Sequence, residues 1–336
     1  MNVLLSCAGR RVYLLKYFQE ALNGRGIVVS TDASPHAPTM KLADKYEIVP
    51  MVGADDYIDV LLEVCIKHRI GLLCSLNDLD LTVLSANHDR FREVGVQLVV
   101  SDPESIDICF DKWKTQQFIA EHQLPTIPTW LLLENAESAL KNGESSFPLV
   151  VKPRWGSASI GIEYAHNVEE LRLAYSLSHY RIKRTTLADY HVSDQDRSIL
   201  IQSKLPGHEF GLDIVNDLSG TTQAVLVKKK MGMRAGETEC AVTVQNRQLE
   251  ELGWKIGRAL KHVGNMDCDV FLEEGQEPYV LEMNPRFGGG YPFSHIAGAD
   301  VPRALLAWAI GEPVDPDWLT VRPNIVGAKY DMLVNW

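Results

Sequence analysis

Short apolar runs and longer amphipathic stretches alternate along the first hundred residues. The runs at 3–6, 27–30, 71–75 and 96–100 have the length of buried strands. Between the first two, residues 12–22 place apolar side chains at helical spacing and stop at Asn23-Gly24, a helix-ending pair. Residues 57–68 do the same, with Tyr57, Val60, Leu61, Val64 and Cys65 on one face. This alternation predicts a small, mostly parallel sheet covered by helices. Ligands of such sheets gather at the carboxyl ends of the strands. Those ends carry Ser6, Gly9, Arg10, Asp32, Asn77 and Asp78.

The pattern changes at Ser101-Asp102-Pro103, where Pro103 suits a first helical turn capped by Asp102. A helix follows over 111–122, broken by Pro125 and Pro128. A strand over 149–152 runs into Pro153 and the loop Gly156-Ser157-Ala158-Ser159-Ile160-Gly161. Strands over 198–202 and 210–215 read as a pair around Pro206-Gly207, and 222–230 as another strand. A helix covers 249–263, strands 269–272 and 279–281 pair across Gly275, and a late helix covers 302–310. Residues 179–196 are polar and basic without periodicity, the character of an insertion. Domains are expected over 1–100, 101–197 and 198–336.

Composition narrows the class. The 336 residues are 46% apolar and 23% charged, ordinary for a globular chain of two or three domains. A net charge of −11 argues against a nucleic-acid partner. No run of about 18 apolar residues occurs, so no membrane span is expected. The N-terminal apolar run precedes Arg10-Arg11, the reverse of a signal peptide. The cysteines lie far apart without a C-x-x-C pair, which fits reduced thiols in a cytoplasmic protein.

The sharpest chemistry follows the run 279–281. Glu282, Asn284 and Arg286 alternate, so a strand there aims all three to one face. Two hard oxygen donors and a guanidinium suit Mg²⁺ and a phosphate. Gly288, Gly289 and Gly290 then let backbone N–H groups approach an anion. Asp269, on the strand expected alongside, supplies a third oxygen ligand. Lys152 leaves its strand into the Gly/Ser loop, whose Ser157 and Ser159 hydroxyls and amides suit phosphate. Gln202 to Glu209 reads either as an ordinary hairpin or as an extended linker whose free backbone groups pair with a purine edge, with Glu209 for ribose hydroxyls. Lys228 and Lys230 point the same way on a strand, toward phosphates. Arg234 to Thr238 reads as a loop closing over substrate or as a surface turn. Arg10 and Arg11 are anion ligands at a helix start or surface residues.

Asp111-Lys112, Val151-Lys152-Pro153 with its loop, Gln202 to Glu209, Asp269 and Glu282-Met283-Asn284-Pro285-Arg286 occur in an order that resembles the ATP-grasp superfamily. The likeness is to short ligases related to the synthetase domains of carbamoyl-phosphate synthase large subunit. It implies a Rossmann-like α/β pre-ATP-grasp domain over 1–100 and a two-lobed α+β ATP-grasp fold, with lobes over 101–197 and 198–336. It implies ATP and Mg²⁺ as cofactors, with Mn²⁺ able to substitute. Lys112 and Lys152 match phosphate contacts, Lys204 and Leu205 the adenine hinge beside Gln202, and Glu209 the ribose acid. Lys230 joins the nucleotide set. Asp269, Glu282 and Asn284 match metal ligands, and Arg286 the arginine on the γ-phosphoryl group, with Lys152 and Arg234 as further catalytic candidates. Arg10, Asn77, Asp78, Arg234 and Gly288 to Gly290 are candidate substrate contacts. Ser203 stands where a glutamate is common, and Gly288 to Pro292 departs from the carbamoyl-phosphate enzymes. The implied activity joins a small-molecule carboxylate to an amine, with an amino acid as one partner and a homodimer as the default assembly. A kinase of the same fold and a non-catalytic nucleotide-binding regulator are the alternatives.

Overall fold

The computed structural model describes residues 1–156, 161–185, 188 and 194–336. Its first layer is a parallel sheet of strands β1 (Asn2–Ser6), β2 (Val28–Asp32), β3 (Lys45–Ile48), β4 (Ile70–Ser75) and β5 (Gln97–Val99), in the order β3-β2-β1-β4-β5. Helices α1 (Val12–Leu22), α2 (Pro38–Leu42), α3 (Tyr57–Lys67), α4 (Asp78–Ser85) and α5 (His88–Glu93) cover it. Helix α1 buries Leu14, Leu15 and Phe18 and ends where Asn23 turns left-handed at φ 46°. Strand order reverses direction between β1 and β4, so the crevice of this sheet opens beyond Ser6 and Ser75. The chain segments leaving those strands hold Arg11, Asn77 and Asp78.

Helices α6 (Pro103–Phe110) and α7 (Lys112–Glu121) follow, capped by Asp102 and Asp111 side chains. The small lobe is a four-stranded sheet of β6 (Thr129–Trp130), β7 (Leu149–Pro153), β8 (Glu163–Ala165) and β9 (Ile199–Ser203), with α8 (Leu133–Lys141) and α9 (Val168–Ile182). It has its own core around Leu149, Val151, Leu171, Ile199 and Ile201. The large lobe is a six-stranded sheet of β10 (His208–Asn216), β11 (Thr222–Arg234), β12 (Glu237–Thr243), β13 (Gly264–Leu272), β14 (Tyr279–Asn284) and β15 (Val326–Ala328). Helices α10 (Arg247–Leu260), α11 (Tyr291–Ile296) and α12 (Val301–Ile310) complete it.

Four expectations are corrected here. The strands before and after Pro206-Gly207 are not paired: β9 belongs to the small-lobe sheet and β10 to the large one. Residues 204–207 therefore form the extended link between lobes, and the lobe boundary falls after Ser203 rather than before 198. Helices α6 and α7 belong to the large lobe, because Cys109, Phe118 and Ile119 share a core with Leu212, Met266 and Met283. Of the expected insertion over 179–196, residues 179–182 are the last turn of α9, with Ile182 and Ser178 buried beneath a polar face, and 186, 187 and 189–193 lie outside the described residues.

The N-terminal sheet and the large lobe share one continuous core. Leu14, Leu15 and Phe18 pack with Val215, Leu226, Phe287 and Leu305. Phe18 meets Phe287 edge to face at 6.2 Å. Phe287 directly follows Arg286, so α1 is fastened to the chain that carries the arginine. Each such large apolar side chain contributes about 1.5–3 kcal/mol on burial.

Candidate active site

The site forms where β13 and β14 run antiparallel. Asp267 faces Asn284 and Asp269 faces Glu282 across the pair. Period two puts all four side chains on one face. They line a cavity of about 260 Å³ together with Lys230 and Arg286. Arg11, Asn77 and Asp78 close it from the N-terminal sheet, and Glu237, Thr238 and Gly289 from the large lobe. A narrower cleft adjoins it, lined by Lys112, Gly156, Glu282, Met283 and Asn284.

Lys230 sits between two carboxylates, 2.6 Å from Glu209 Oε1 and 2.6 Å from Asp269 Oδ1. Burial opposes its charge, but Asp269 and then Glu209 outweigh it and raise its pKa. Asp269 is pushed up to about 7, first by burial and then by Asp267, Glu209 and Glu282, with Lys230 opposing. Burial also raises Asp267, against Lys230, Lys228 and Arg286. Burial works against the Glu282 carboxylate too, yet Lys112, the Asn284 amide and Lys152 keep its pKa below the ordinary value. The Asn284 amide donates to Glu282 Oε1 at 2.8 Å. Arg286 is gripped by Asp78, with Nε and Nη2 each 3.0 Å from a carboxylate oxygen, and Asp267 lies 3.8 Å from Nη1. Burial notwithstanding, Asp78 and Asp267 raise its pKa.

Lys152 is 5% exposed on β7. Burial, and then Lys112, lower its pKa to about 8. Lys112 begins α7 and donates to the Gly156 carbonyl. Asp111, the cap of that helix, binds Arg154 through Nε at 2.8 Å and Nη2 at 2.6 Å. The small-lobe strand exit is thereby tied to the large lobe. Ser157 and Ser159 lie outside the described residues.

The other expected residues divide. Lys204 and Leu205 lie in the interlobe link, where the Lys204 N–H donates to the Pro148 carbonyl at 3.3 Å. Ser203 meets the Ser145 hydroxyl at 3.2 Å. Gln202 is buried, and its amide donates to Thr129 Oγ1 at 3.0 Å, so it braces β6 instead of facing the cavity. Lys228 is not a phosphate ligand: its side chain is fully buried, 2.6 Å from Asp213. Gly288 and Gly290 serve close approach. A Cβ on Gly288 would fall 2.0 Å from the Asp267 carboxyl, and one on Gly290 2.6 Å from Lys228 Cε. Arg10 is exposed and does not line the cavity; Arg11 takes that place. Arg234 does not line it either. It ends β11 in the hairpin turn to β12, is 54% exposed, and pairs with Asp331 at 2.8 Å and Glu239 at 3.1 Å. The surface-turn reading of that segment applies to Arg234. His295 is a packing residue, stacked on Tyr17 at 3.5 Å.

Asp267 was missed, although it sits two residues before Asp269 on the same strand and period two marks it. The Asp78–Arg286 pair spans 208 positions and has no local signal. The donor set fits Mg²⁺: hard oxygens from Asp269, Glu282 and Asn284 meet at a buried face where burial first, and then neighbouring carboxylates, raise the Asp269 pKa against Lys230, a surplus of negative charge that a divalent cation offsets. Among the described residues no three His, Cys, Asp or Glu side chains already form a metal cage. Lys230 fills the space between Asp269 and Glu209.

Residues 3–99 match the family described as PylC-like, N-terminal domain, and residues 195–331 match ATP-grasp in the biosynthetic pathway with Ter operon. The chain is 26% identical over 296 residues to the carbamoyl phosphate synthase arginine-specific large chain of Geobacillus stearothermophilus, covering 85% of this chain and 25% of that one. It spans about a quarter of that relative's length. Its fold matches the biotin carboxylase domain of the Hydrogenobacter thermophilus 2-oxoglutarate carboxylase, solved as a dimer with MgADP, ADP and bicarbonate. There the TM-score is 0.73 at 17% identity, covering 97% of this chain and 73% of that one. It also matches the L-amino acid ligase of Bacillus licheniformis, with a TM-score of 0.69 at 17% identity over 96% of this chain and 77% of that one. No helix among the described residues is long and apolar enough to cross a membrane.

Proposed function

We propose that this chain is an ATP-grasp enzyme, an ATP- and Mg²⁺-dependent ligase joining a carboxylate to an amine, with an amino acid among its substrates; the match of residues 195–331 to an ATP-grasp family supports the reading. One observation carries the reading. A single cavity brings the oxygen donors Asp269, Glu282 and Asn284, the cations Lys230 and Arg286, and the Gly289–Gly290 backbone to one place. A nucleotide's phosphates and a second reactant therefore meet there.

Asp269, Glu282 and Asn284 would hold Mg²⁺, with Mn²⁺ as an alternative ion. Bound there, the ion neutralises phosphate oxygens. The interlobe link at Lys204 and Leu205 offers backbone groups to a purine, and Glu209 a carboxylate to ribose. Lys112 and Lys152 steady phosphates from the small-lobe side. Phosphoryl transfer needs alignment and charge neutralisation more than covalent help. A carboxylate oxygen attacks the γ-phosphorus, the bond to the bridging oxygen breaks, and ADP leaves. The amine nitrogen then attacks the carbonyl carbon of the acyl phosphate, phosphate leaves and the nitrogen loses a proton. Arg286 stabilises charge on the transferred group, and the Gly289 and Gly290 backbone, which lines the cavity, would supply N–H donors to the developing oxyanion. Asp78 sets where Arg286 points, so the N-terminal domain takes part in placing it.

A panel of small acids with ATP and hydroxylamine tests this reading. An acid that gives a hydroxamate with stoichiometric ADP supports it. ADP release from an acid alone, with a stable phosphorylated product, replaces it with a kinase. Binding of Mg·ATP without turnover on any acid replaces it with a nucleotide-binding regulator.

A further inference from the structure

Three charged side chains from separate segments converge at the outer end of the cavity. Arg11 precedes α1, Glu237 opens β12, and Lys329 follows β15. Glu237 and Lys329 flank Gly289, where a Cβ would lie 3.3 Å from Lys329 Nζ and 3.5 Å from the Glu237 carboxyl, and Arg11 lines the same cavity. Lys329 also stands over the Tyr13 ring at 5.9 Å. The other cations of the cavity are ion-paired, Lys230 with Glu209 and Asp269, and Arg286 with Asp78. Arg11 differs. Among the described residues it has no ion pair, and its guanidinium makes one hydrogen bond, to the Leu76 carbonyl, while the buried Nε has no partner. An arginine in that state, lining a cavity, is built for an anion. Glu237 and Lys329 are 3.4 Å apart, longer than a tight charge-assisted bond of about 2.7–2.9 Å. A ligand with both charges replaces that loose pair with two better contacts.

Building on the ligase reading, we propose that Arg11, Lys329 and Glu237 recognise the amine substrate and that this substrate is a zwitterionic α-amino acid. Arg11 and Lys329 take its carboxylate, and Glu237 takes its ammonium group, which gives up one proton to solvent before the freed nitrogen lone pair attacks. The carboxylate end is held at the mouth, and the nitrogen lies toward Gly289 and Gly290, on the path to Arg286. Burial lowers the Lys329 pKa while Glu237 opposes the shift, so an incoming carboxylate reinforces a charge that the site weakens. The cavity of about 260 Å³ admits a molecule of this size beside the phosphoryl group.

The test is calorimetric binding of the twenty L-amino acids to the full chain with ADP and Mg²⁺, followed by the amide and N-acetyl derivative of each binder. At least one amino acid binds, and removing either charge weakens it about tenfold, as expected for one charge-assisted contact. Glu237→Gln weakens the amino acid by a similar factor. Arg11→Gln weakens the amino acid and leaves the weak binding of its amide unchanged. A merely structural Glu237–Lys329 pair would move Tm in Glu237→Gln and Lys329→Met without moving affinity, and that result overturns the proposal. So does equal binding of acid and amide, or no binding by any of the twenty. The subsite and the ligase reading fail separately. Charge-selective binding without amide formation keeps the subsite and removes the ligase. ADP release with amines that lack a carboxylate, indifferent to Glu237→Gln, removes the subsite and keeps the ligase.

Discussion

The floor and the rim of the site use the same residue types under different solvation. On the floor, Lys230 and Arg286 are 5% and 8% exposed at the side chain and hold carboxylates at 2.6 and 3.0 Å. At the rim, Arg234 is 54% exposed and its partner Asp331 78%, although their separation is a comparable 2.8 Å. Distance alone would rank these pairs together. Burial separates them, because desolvation penalises every unpaired charge on the floor and water screens every charge at the rim. Floor residues depend on each other, and rim residues do not.

The largest break in that comparison comes from removing oxygen donors. Glu282→Ala with Asn284→Ala lowers Mg²⁺-dependent ATP turnover by more than about a thousandfold while the circular dichroism spectrum stays native. Unchanged turnover would sink the metal assignment. Beneath the floor, Lys228→Met removes the counter-cation of the Asp213 carboxylate from a fully buried pair at 2.6 Å, leaving it only the neutral donors Ser294 and Asn265. Chemical denaturation then shows a loss of about 3–5 kcal/mol, the cost of an uncompensated buried charge. Arg286→Lys keeps the charge but loses the fork that engages both Asp78 oxygens. Turnover falls about a hundredfold, and a loss below about threefold would show that bidentate geometry is not needed.

Lys152 sharpens the contrast through pH. Its pKa is lowered to about 8 by burial and by Lys112. The folded value lies below the unfolded one, so the contribution of Lys152 to stability is full above the unfolded pKa and is lost as pH falls through about 8. Phosphate binding runs the other way, because only the protonated amine is a cation. ATP affinity of the wild type falls by about tenfold as pH rises through 8, where an ordinary lysine would stay charged. Lys152→Arg removes that bend, and a bend that persists in the variant assigns it to another group.

What the sequence made legible follows from the range of the interactions. Alternation on one strand put Glu282 and Asn284 on one face, and strand pairing added Asp269, because period and adjacency are local properties. The same rule marks Asp267. Lys228 obeyed the period and still failed as a phosphate ligand: orientation is local, but whether a buried acid such as Asp213 waits there is not. Arg286 meeting Asp78, or Lys329 reaching Glu237, depends on which sheet packs where. Strand β3 escaped notice because Lys45–Ile48 is a four-residue edge whose alternating Tyr46 and Ile48 stay exposed outside the core. Strands β9 and β10 were read correctly as strands and wrongly as partners. A stretch such as Lys204-Leu205-Pro206-Gly207 looks alike whether it turns a hairpin or crosses between lobes.

The smallest expected effect lies at the rim. Arg234 pairs with Glu239 and Asp331, and all three side chains are more than one-third exposed. The Asp331 hydrogen bond is the main reason its pKa is raised, and Arg234 lowers that of Asp331 in turn. Water solvates both partners nearly as well when they separate, so the pair adds little to the fold. Arg234→Ala leaves Tm and ATP turnover at wild-type values at physiological salt. The neighbouring Glu237, only three residues along the same hairpin but lining the cavity, supplies the control. A large turnover loss in Arg234→Ala would mean that the hairpin folds over the substrate during the reaction, and the floor-and-rim distinction would then move outward to include it.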